Sequence, residues 1–338
     1  MNMEHHALIN NTTRVKESNT QLILSTIKKL GTATRNEIAR STGLSLSTCG
    51  NILKSLLVSG EIMEGGLQNC SGGRPAKQYI YNKSHRIVAA IIIYPDTDNY
   101  IVQYTVTNLC KEVVTRNTFS TSSFSLSTLE ALLDKEFKRF HSLTSISIGI
   151  PATLLHHLQK AAGIHDTHFL ETLCAQKYQI PVKIEKISSI IAMDYYKNNP
   201  DLTNATIAAF TISQSAVNAG YVFNGKVYTG DSSEEGQFEM HFLQTHLKKK
   251  SGHDTLMTKV MFAIASSLAT FHPDVILLSK SETSAISLQE IKDRCMQTFP
   301  NEPRPKFILE ENPLKVCASG ALDTAISNLQ PNLTLVSR

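Results

Sequence analysis

Seven side chains near the start of the chain have the types and spacing needed to grip a polyanion: Arg35, Ser47, Thr48, Asn51, Lys54, Arg74 and Lys77. An asparagine can donate to and accept from one adenine edge at once. Serine and threonine hydroxyls bond donor or acceptor edges of either kind. Arginine and lysine neutralise phosphate oxygens. The last two cations fall in CSGGRPAKQYIYN (70–82), where Gly72 and Gly73 permit a tight turn before tyrosine and isoleucine alternate. Positive charge on such a tip lies where a nucleic-acid backbone or minor groove would pass. The chemistry offered is recognition of a duplex rather than transformation of a substrate.

Those residues need elements to hold them. TQLILSTIKKLG sets Leu22, Ile23, Ile27 and Leu30 at helical spacing and stops at Gly31. TATRNEIARSTG predicts a short second helix, with Thr34 as N-cap, Glu37 completing a capping box and Gly43 ending it. LSLSTCGNILKSLLVSG predicts a third helix capped by Ser45. Its Leu46, Cys49, Leu53, Leu56 and Leu57 form one face, and Ser47, Thr48, Asn51, Lys54 and Ser55 the other. Helices alone fit either a helix-turn-helix or a plain three-helix bundle with a solvated face. The next segment decides between them: EIMEGG (61–66) and AKQYIYN (76–82) are strands flanking the basic tip, and the whole becomes a winged helix-turn-helix. The recognition face is short of arginine. One good base contact supplies about 1–3 kcal/mol of discrimination, too little for a genome, so two copies reading two half-sites are expected.

The remainder is of a different kind. Of 338 residues, 41% are hydrophobic and 18% charged, the composition of a folded protein with two or three domains. Residues 1–85 hold ten Lys/Arg against five Asp/Glu, whereas the rest hold 23 against 24, so the net charge of +4 comes from a basic head on a near-neutral body. Six cysteines, Cys49, Cys70, Cys110, Cys174, Cys295 and Cys317, stand far apart with no C-x-x-C pair, and the polar first residues lack the apolar stretch of a secretory signal. Reduced thiols in a cytoplasm are expected. The dense apolar runs IVAAIIIY and VMFAIASSLATF are too short to span a membrane, so no membrane partner is expected.

From Arg86 onward, three strands (IVAAIIIY, NYIVQYTVTN, KEVVTRNTF) precede a helix near 126–142 and the strand SISIGIP. The strand VKIEK, a helix at 188–198 and the strands ATIAAFTI, AVNAGYVFNG and KVYTG follow. A long helix near 254–271, DVILLS, a helix near 285–298, KFILE and the helix VCASGALDTAISNL close the series. A strand meander passing into strand–helix alternation, twice over, predicts two α/β lobes with a cleft between them, where small ligands bind.

This layout resembles the ROK family of repressors and sugar kinases. The resemblance runs from about residue 18 to the end, through GGRPAKQYIYN, SIGIPA (147–152), YVFNGKVYTG (221–230) and VCASGALDTAISNL. It implies an α/β fold: an N-terminal winged helix-turn-helix followed by a two-lobed actin-like (ribonuclease-H-like) ATPase-fold body. The domains expected are a polar extension at 1–17, the winged helix-turn-helix at 18–83, one lobe at 84–200 and another at 201–338, with the last helix packing back on the first lobe.

The departures from that resemblance bear on catalysis. The Asp-x-Gly-Gly-Thr turn should lie in AIIIYPDTDNYIV, which has no glycine, and the Gly-Thr-Gly-x-Gly run corresponds to Gln214–Asn218, where Gln214, Ala216 and Asn218 replace the glycines. The Glu-Asn-Asp segment carrying the catalytic base becomes Glu185, Lys186 and Ile187, and an isoleucine accepts no proton. The sugar-contacting Gly-Glu-x-Gly-His segment becomes GQFEM, leaving Gln237 and Met240; with Glu185 these are the candidate ligand contacts. The cysteine-rich zinc loop should fall in HLKKKSGHDTLMT, which has no cysteine. His241, His246, His253, the His156–His157 pair and HDTH (165–168) are taken as ordinary histidines, and no metal or cofactor is expected.

Three functions compete. A DNA-binding regulator, most simply a repressor, accounts for the basic head and for the joint loss of base, phosphate loops and zinc. Its partners are duplex DNA, further copies of itself in a dimer or tetramer, and either a sugar-derived or less polar effector or no effector at all. A sugar kinase with a DNA-binding head needs an acid in the cleft, for which Asp96, Asp98 or Glu185 would have to serve. A non-enzymatic scaffold would use the winged helix on protein.

Overall fold

A computed structural model describes residues 2–68, 75–96, 99–163, 167–213, 216–229, 253–280, 286–298 and 305–329. The chain divides into two compact units, one built mainly from residues up to Arg86 and the other mainly from Ile87 onward.

The first unit begins with α1 (Asn2–Leu30), β1 (Thr32–Thr34), α2 (Arg35–Thr42) and α3 (Leu46–Ser59). The hairpin β2 (Ile62–Gln68) and β3 (Ala76–Tyr81) follows. Both local stops form as the sequence dictates. The Glu37 N–H donates to Thr34 Oγ1 at 3.4 Å and the Thr34 N–H donates to Glu37 Oε2 at 2.7 Å, closing a capping box on α2. Gly43 takes φ 71° and ends the helix in the left-handed region that glycine enters without strain. The core comprises Ile23, Leu24 and Ile27 of α1, Ile38 of α2, Cys49, Ile52, Leu53 and Leu56 of α3, and Ile62 and Tyr81 of the hairpin. Three leucines expected inside are outside: Leu22, Leu30 and Leu46 are 42, 48 and 48% exposed. Leu24 and Ile52 take the inward positions instead, because each helix faces its neighbours along a narrower stripe than its apolar residues span. β1, too short for any pattern to announce, pairs antiparallel with β3 and makes a three-stranded sheet in the order β1-β3-β2. β2 carries a bulge between Glu64 and Leu67.

The second unit holds two five-stranded sheets. The first contains β4 (Ile87–Asp96), β5 (Asn99–Asn108), β6 (Val113–Thr121), β7 (Leu143–Ile150) and β8 (Val182–Lys186) in the order β6-β5-β4-β7-β8. Its helices are α4 (Leu126–Arg139), α5 (Ala152–Ala162), α6 (Thr167–Tyr178) and α7 (Ile187–Asn198). The second contains β9 (Thr206–Ile212), β10 (Val217–Phe223), β11 (Lys226–Val227), β12 (Val275–Lys280) and β13 (Lys306–Leu309) in the order β11-β10-β9-β12-β13. With it go α8 (His253–Phe271), α9 (Leu288–Thr298) and α10 (Pro313–Ser327). Strands alternate faces, and both faces are apolar: Ile87, Ala89, Ile91 and Ile93 point toward α4, α5 and α6, while Val88, Ala90 and Ile92 are buried on the other side. Each such isoleucine contributes roughly 1.5–3 kcal/mol by leaving water.

α7 and α10 are packed against each other between the sheets, α7 on β9 and β10, α10 on β4 and β7. Glycines allow the closest approaches. A Cβ on Gly320 of α10 would meet Ile190 of α7 at 2.5 Å, and one on Gly220 of β10 would meet the Ser189 nitrogen of α7 at 2.3 Å. α5 and α6 stand where the sequence predicted no element between β7 and β8. The helix expected to run to 142 ends at Arg139.

Candidate functional site

On the first unit, the N-terminus of α3 is a cluster of hydroxyls. Ser45 caps it, accepting from the Thr48 N–H at 3.1 Å, and its hydroxyl also shares hydrogen bonds with those of Ser47 and Thr48 at 2.9 and 2.8 Å. Ser47, Asn51 and Lys54, at steps of four and three, lie exposed along one face of the helix; Thr48 is half-buried beside them. Arg35, the first residue of α2, reaches across to that face. Its guanidinium and Cδ lie 3.5 and 3.7 Å from where a Cβ on Gly50 would be. Thus Ser47, Asn51 and Lys54 form one exposed row on α3, with Thr48 at its flank and Arg35 packed beside it at Gly50.

The hairpin is tied to the same helix, since the Asn82 side-chain amide donates to the Gly60 carbonyl at α3's C-cap at 2.9 Å. Lys77, expected as a phosphate contact, is already engaged: its Nζ lies 2.8 Å from Glu64 Oε1 across the β2–β3 ladder. Hydrogen bonding and charge from Glu64 hold its pKa above the usual lysine value. Both side chains are about half exposed, so the pair is weakly held and a phosphate competes for it. Arg74 lies outside the described residues, as do Gln214, Gln237 and Met240.

In the second unit, the position that the resemblance assigns to a catalytic base is an apolar plug. Ile187 is fully buried at the start of α7. With Ile190 and Ile92 it crowds Gly149, where a Cβ would meet the two last side chains at 2.9 and 2.8 Å. Glu185 lies two residues earlier on the edge strand β8, turned toward β7 and α10. Its carboxylate accepts from Ser147 Oγ at 3.0 Å, with the Thr324 hydroxyl nearby. Burial pushes its pKa up, and the two hydroxyl donors pull the other way. Where β9 passes to β10, Ser213 and Ala216 bond each other. The Ser213 N–H donates to the Ala216 carbonyl at 2.9 Å, and the Ala216 N–H donates to Ser213 Oγ at 3.1 Å, which takes that amide from any bound phosphate.

Above that point runs a polar row that sequence reasoning missed as a row. Ser279, Thr211 and Asn218 are direct cross-strand neighbours on β12, β9 and β10, and all are at most 1% exposed. Thr211 Oγ1, Asn218 Oδ1 and the nearby Ser188 Oγ of α7 find no hydrogen-bond partner. Tyr94, on β4 of the other sheet, is coupled to Ser279 without reaching hydrogen-bond geometry, and burial raises its pKa strongly. Unpaired buried polar atoms cost about 1–3 kcal/mol each, so this row has capacity for a ligand's polar groups or for water. The available signal was a hydroxyl or amide in each of three otherwise apolar strands.

At three cysteines burial disfavours the thiolate: it pushes Cys295 up to about 12 and raises Cys174 and Cys317 as well. Among the described residues, no three His, Cys, Asp or Glu side chains are grouped to hold a metal, and no helix is long and apolar enough to cross a membrane.

Neither a protein-family model nor a curated protein matches the sequence. Solved structures do. A ROK family transcriptional regulator, described as a homologue of the E. coli MLC protein, matches with a TM-score of 0.54 at 14% identity over 93% of this chain and 97% of its own. A proposed N-acetylmannosamine kinase from Listeria monocytogenes matches at 0.51 and 13%, over 71% of this chain and 99% of its own. A ROK family glucokinase from Streptomyces griseus, solved with glucose and AMPPNP, matches at 0.50 and 11%, over 71% and 99%. The chain shares the mixed α/β fold of ROK family proteins.

Proposed function

We propose that the chain is a DNA-binding transcription regulator whose body has the kinase-like fold but does not transfer phosphate. The first unit acts as a winged helix-turn-helix, with α3 in the major groove and the β2–β3 hairpin as wing. In this reading residues 18–83 form the head, and 84–200 and 201–338 form the two lobes of an actin-like body. The observation that carries the reading is the exposed row of Ser47, Asn51 and Lys54 on α3, flanked by the half-buried Thr48 and by Arg35 at Gly50. Asn51 and the hydroxyls read base edges, Arg35, Lys54 and the wing hold the backbone, and two copies together supply the discrimination a genome demands.

Support for a non-catalytic body comes from the buried Ile187 and from the Ala216 amide, which is already engaged by Ser213. Phosphoryl transfer requires a base at the attacking hydroxyl and amides or cations on the phosphates. The likeness to the regulator spans 93% of the chain, and that to each kinase 71%. The body binds either an effector less polar than a free hexose or none, because Gln237 and Met240 stand where the resemblance has Glu and His.

The deciding experiment is fluorescence anisotropy of the full chain on DNA fragments flanking its own gene, repeated from about 50 to about 200 mM salt. Tight binding at low salt that falls steeply as salt rises is expected. Indifference to every fragment at low salt, or steady ATP consumption with a carbohydrate, overturns the proposal.

A further inference from the structure

β6 is the edge of the first sheet, paired on one side with β5 and on the other with no strand among the described residues. Seven of its nine residues are exposed, on both faces, and Val113, Val114 and Phe119 are 54, 52 and 41% exposed. The helices that cover β4 and β5 therefore stop short of it. Its sequence, VVTRNTFST, is rich in strand-forming residues and holds no proline, no lysine, no acid and a single arginine. Exposed edges are ordinarily blunted by charge, proline or a bulge. The bulge here falls at the very start of β6, between Val113 and Thr115, and leaves 115–121 in regular register with β5.

We infer that β6 pairs with β6 of a second copy, antiparallel about a two-fold axis at Asn117, joining two five-stranded sheets into one of ten strands. The strand is complementary to itself in that register. Arg116 falls opposite Thr118, Thr115 opposite Phe119, Val114 opposite Ser120 and Val113 opposite Thr121, so the one charge never meets its copy. On the axis, two Asn117 amides face each other and can each donate and accept. A two-fold contact of this kind closes on itself and does not propagate. A foreign peptide would need pockets for its alternate side chains beside the strand, and exposure on both faces leaves no flanking helix to form them. Self-association is measured without DNA, so it stands or falls apart from the regulator reading, although it would supply the paired heads that reading calls for.

The test is the mass of the full chain by light scattering across a micromolar dilution series, for the natural sequence and for Asn117→Asp and Asn117→Lys. The natural chain should be a dimer. Each variant should dimerise at least about fivefold more weakly, from like charges on the axis. Mixing the two variants should restore a dimer. Asn117 is exposed, so both variants should keep the natural circular dichroism. A monomeric natural chain, variants as dimeric as the natural chain, or a mixture that fails to recover would each overturn the proposal.

Discussion

Asn51 and Lys54 sit one turn apart on the same face of α3 and should fail in different ways. If the proposed head reads DNA through Asn51, replacing it by alanine should lower preference for the natural site over random DNA by about 1–3 kcal/mol while random DNA binds as before. Lys54→Ala should weaken all sequences alike and lower the salt slope by about 0.9. Paired anisotropy titrations on specific and scrambled duplexes separate the two; identical behaviour would refute the assignment. Lys77 belongs to the same scale. Removing its partner's charge with Glu64→Gln frees the ammonium, so DNA affinity at low salt should rise, and a fall would show that Glu64 positions the wing instead. Glu185 makes a prediction in pH. Its folded pKa lies above its ordinary value, so the unfolded carboxyl ionises more readily and the group's contribution is lost as pH rises through the folded pKa. Glu185→Gln should therefore melt higher than the natural chain at neutral pH, with the gap closing below the usual carboxylate range. An equal gap at all pH values would contradict this.

Elements show where sequence is informative and where it is not. The caps at Thr34, Gly43 and Ser45 were legible because each is settled within four residues by hydrogen bonds the chain makes to itself. Thr34→Ala should accordingly cost the first unit about 0.5–2 kcal/mol, read from its denaturant midpoint. Which leucines face inward was not legible, because Leu22, Leu30 and Leu46 have the right period and the wrong side, and only the neighbouring helix chooses the side. α5 and α6 went unseen for a related reason: Pro151 begins α5 without a side-chain cap, and THFLETLCAQKY in α6 has no clean apolar stripe. The convergence of Ser279, Thr211 and Asn218 needs three strands in register, information that no single segment holds. Gly220 offers the sharpest test of that packing. With Gly220→Ala the new methyl would lie 2.3 Å from the Ser189 nitrogen, so α7 must retreat, at a cost of about 1–3 kcal/mol or more. A melting midpoint equal to the natural one would mean that α7 does not press on β10.

At the scale of the molecule, the charge asymmetry between head and body was plain from composition, and so was the likeness of the whole layout to a two-part protein. The reading of the ligand site rests on the sequence alone, since Gln237 and Met240 lie outside the described residues. The proposal of a less polar effector predicts that glucose, mannose, N-acetylglucosamine and their phosphates leave the melting midpoint unchanged. A clear upward shift with any of them would reverse it. The path of the chain adds a constraint of its own. α10 covers the inner face of β4 and β7, yet it follows β4 by more than two hundred residues. During synthesis Val88, Ala90 and Ile92 must wait uncovered until nearly the whole polypeptide has left the ribosome, while the head can finish folding long before. A nascent chain stalled before Pro313 would thus carry every helix and strand of the first unit, followed by a sheet whose inner face still lacks its last cover.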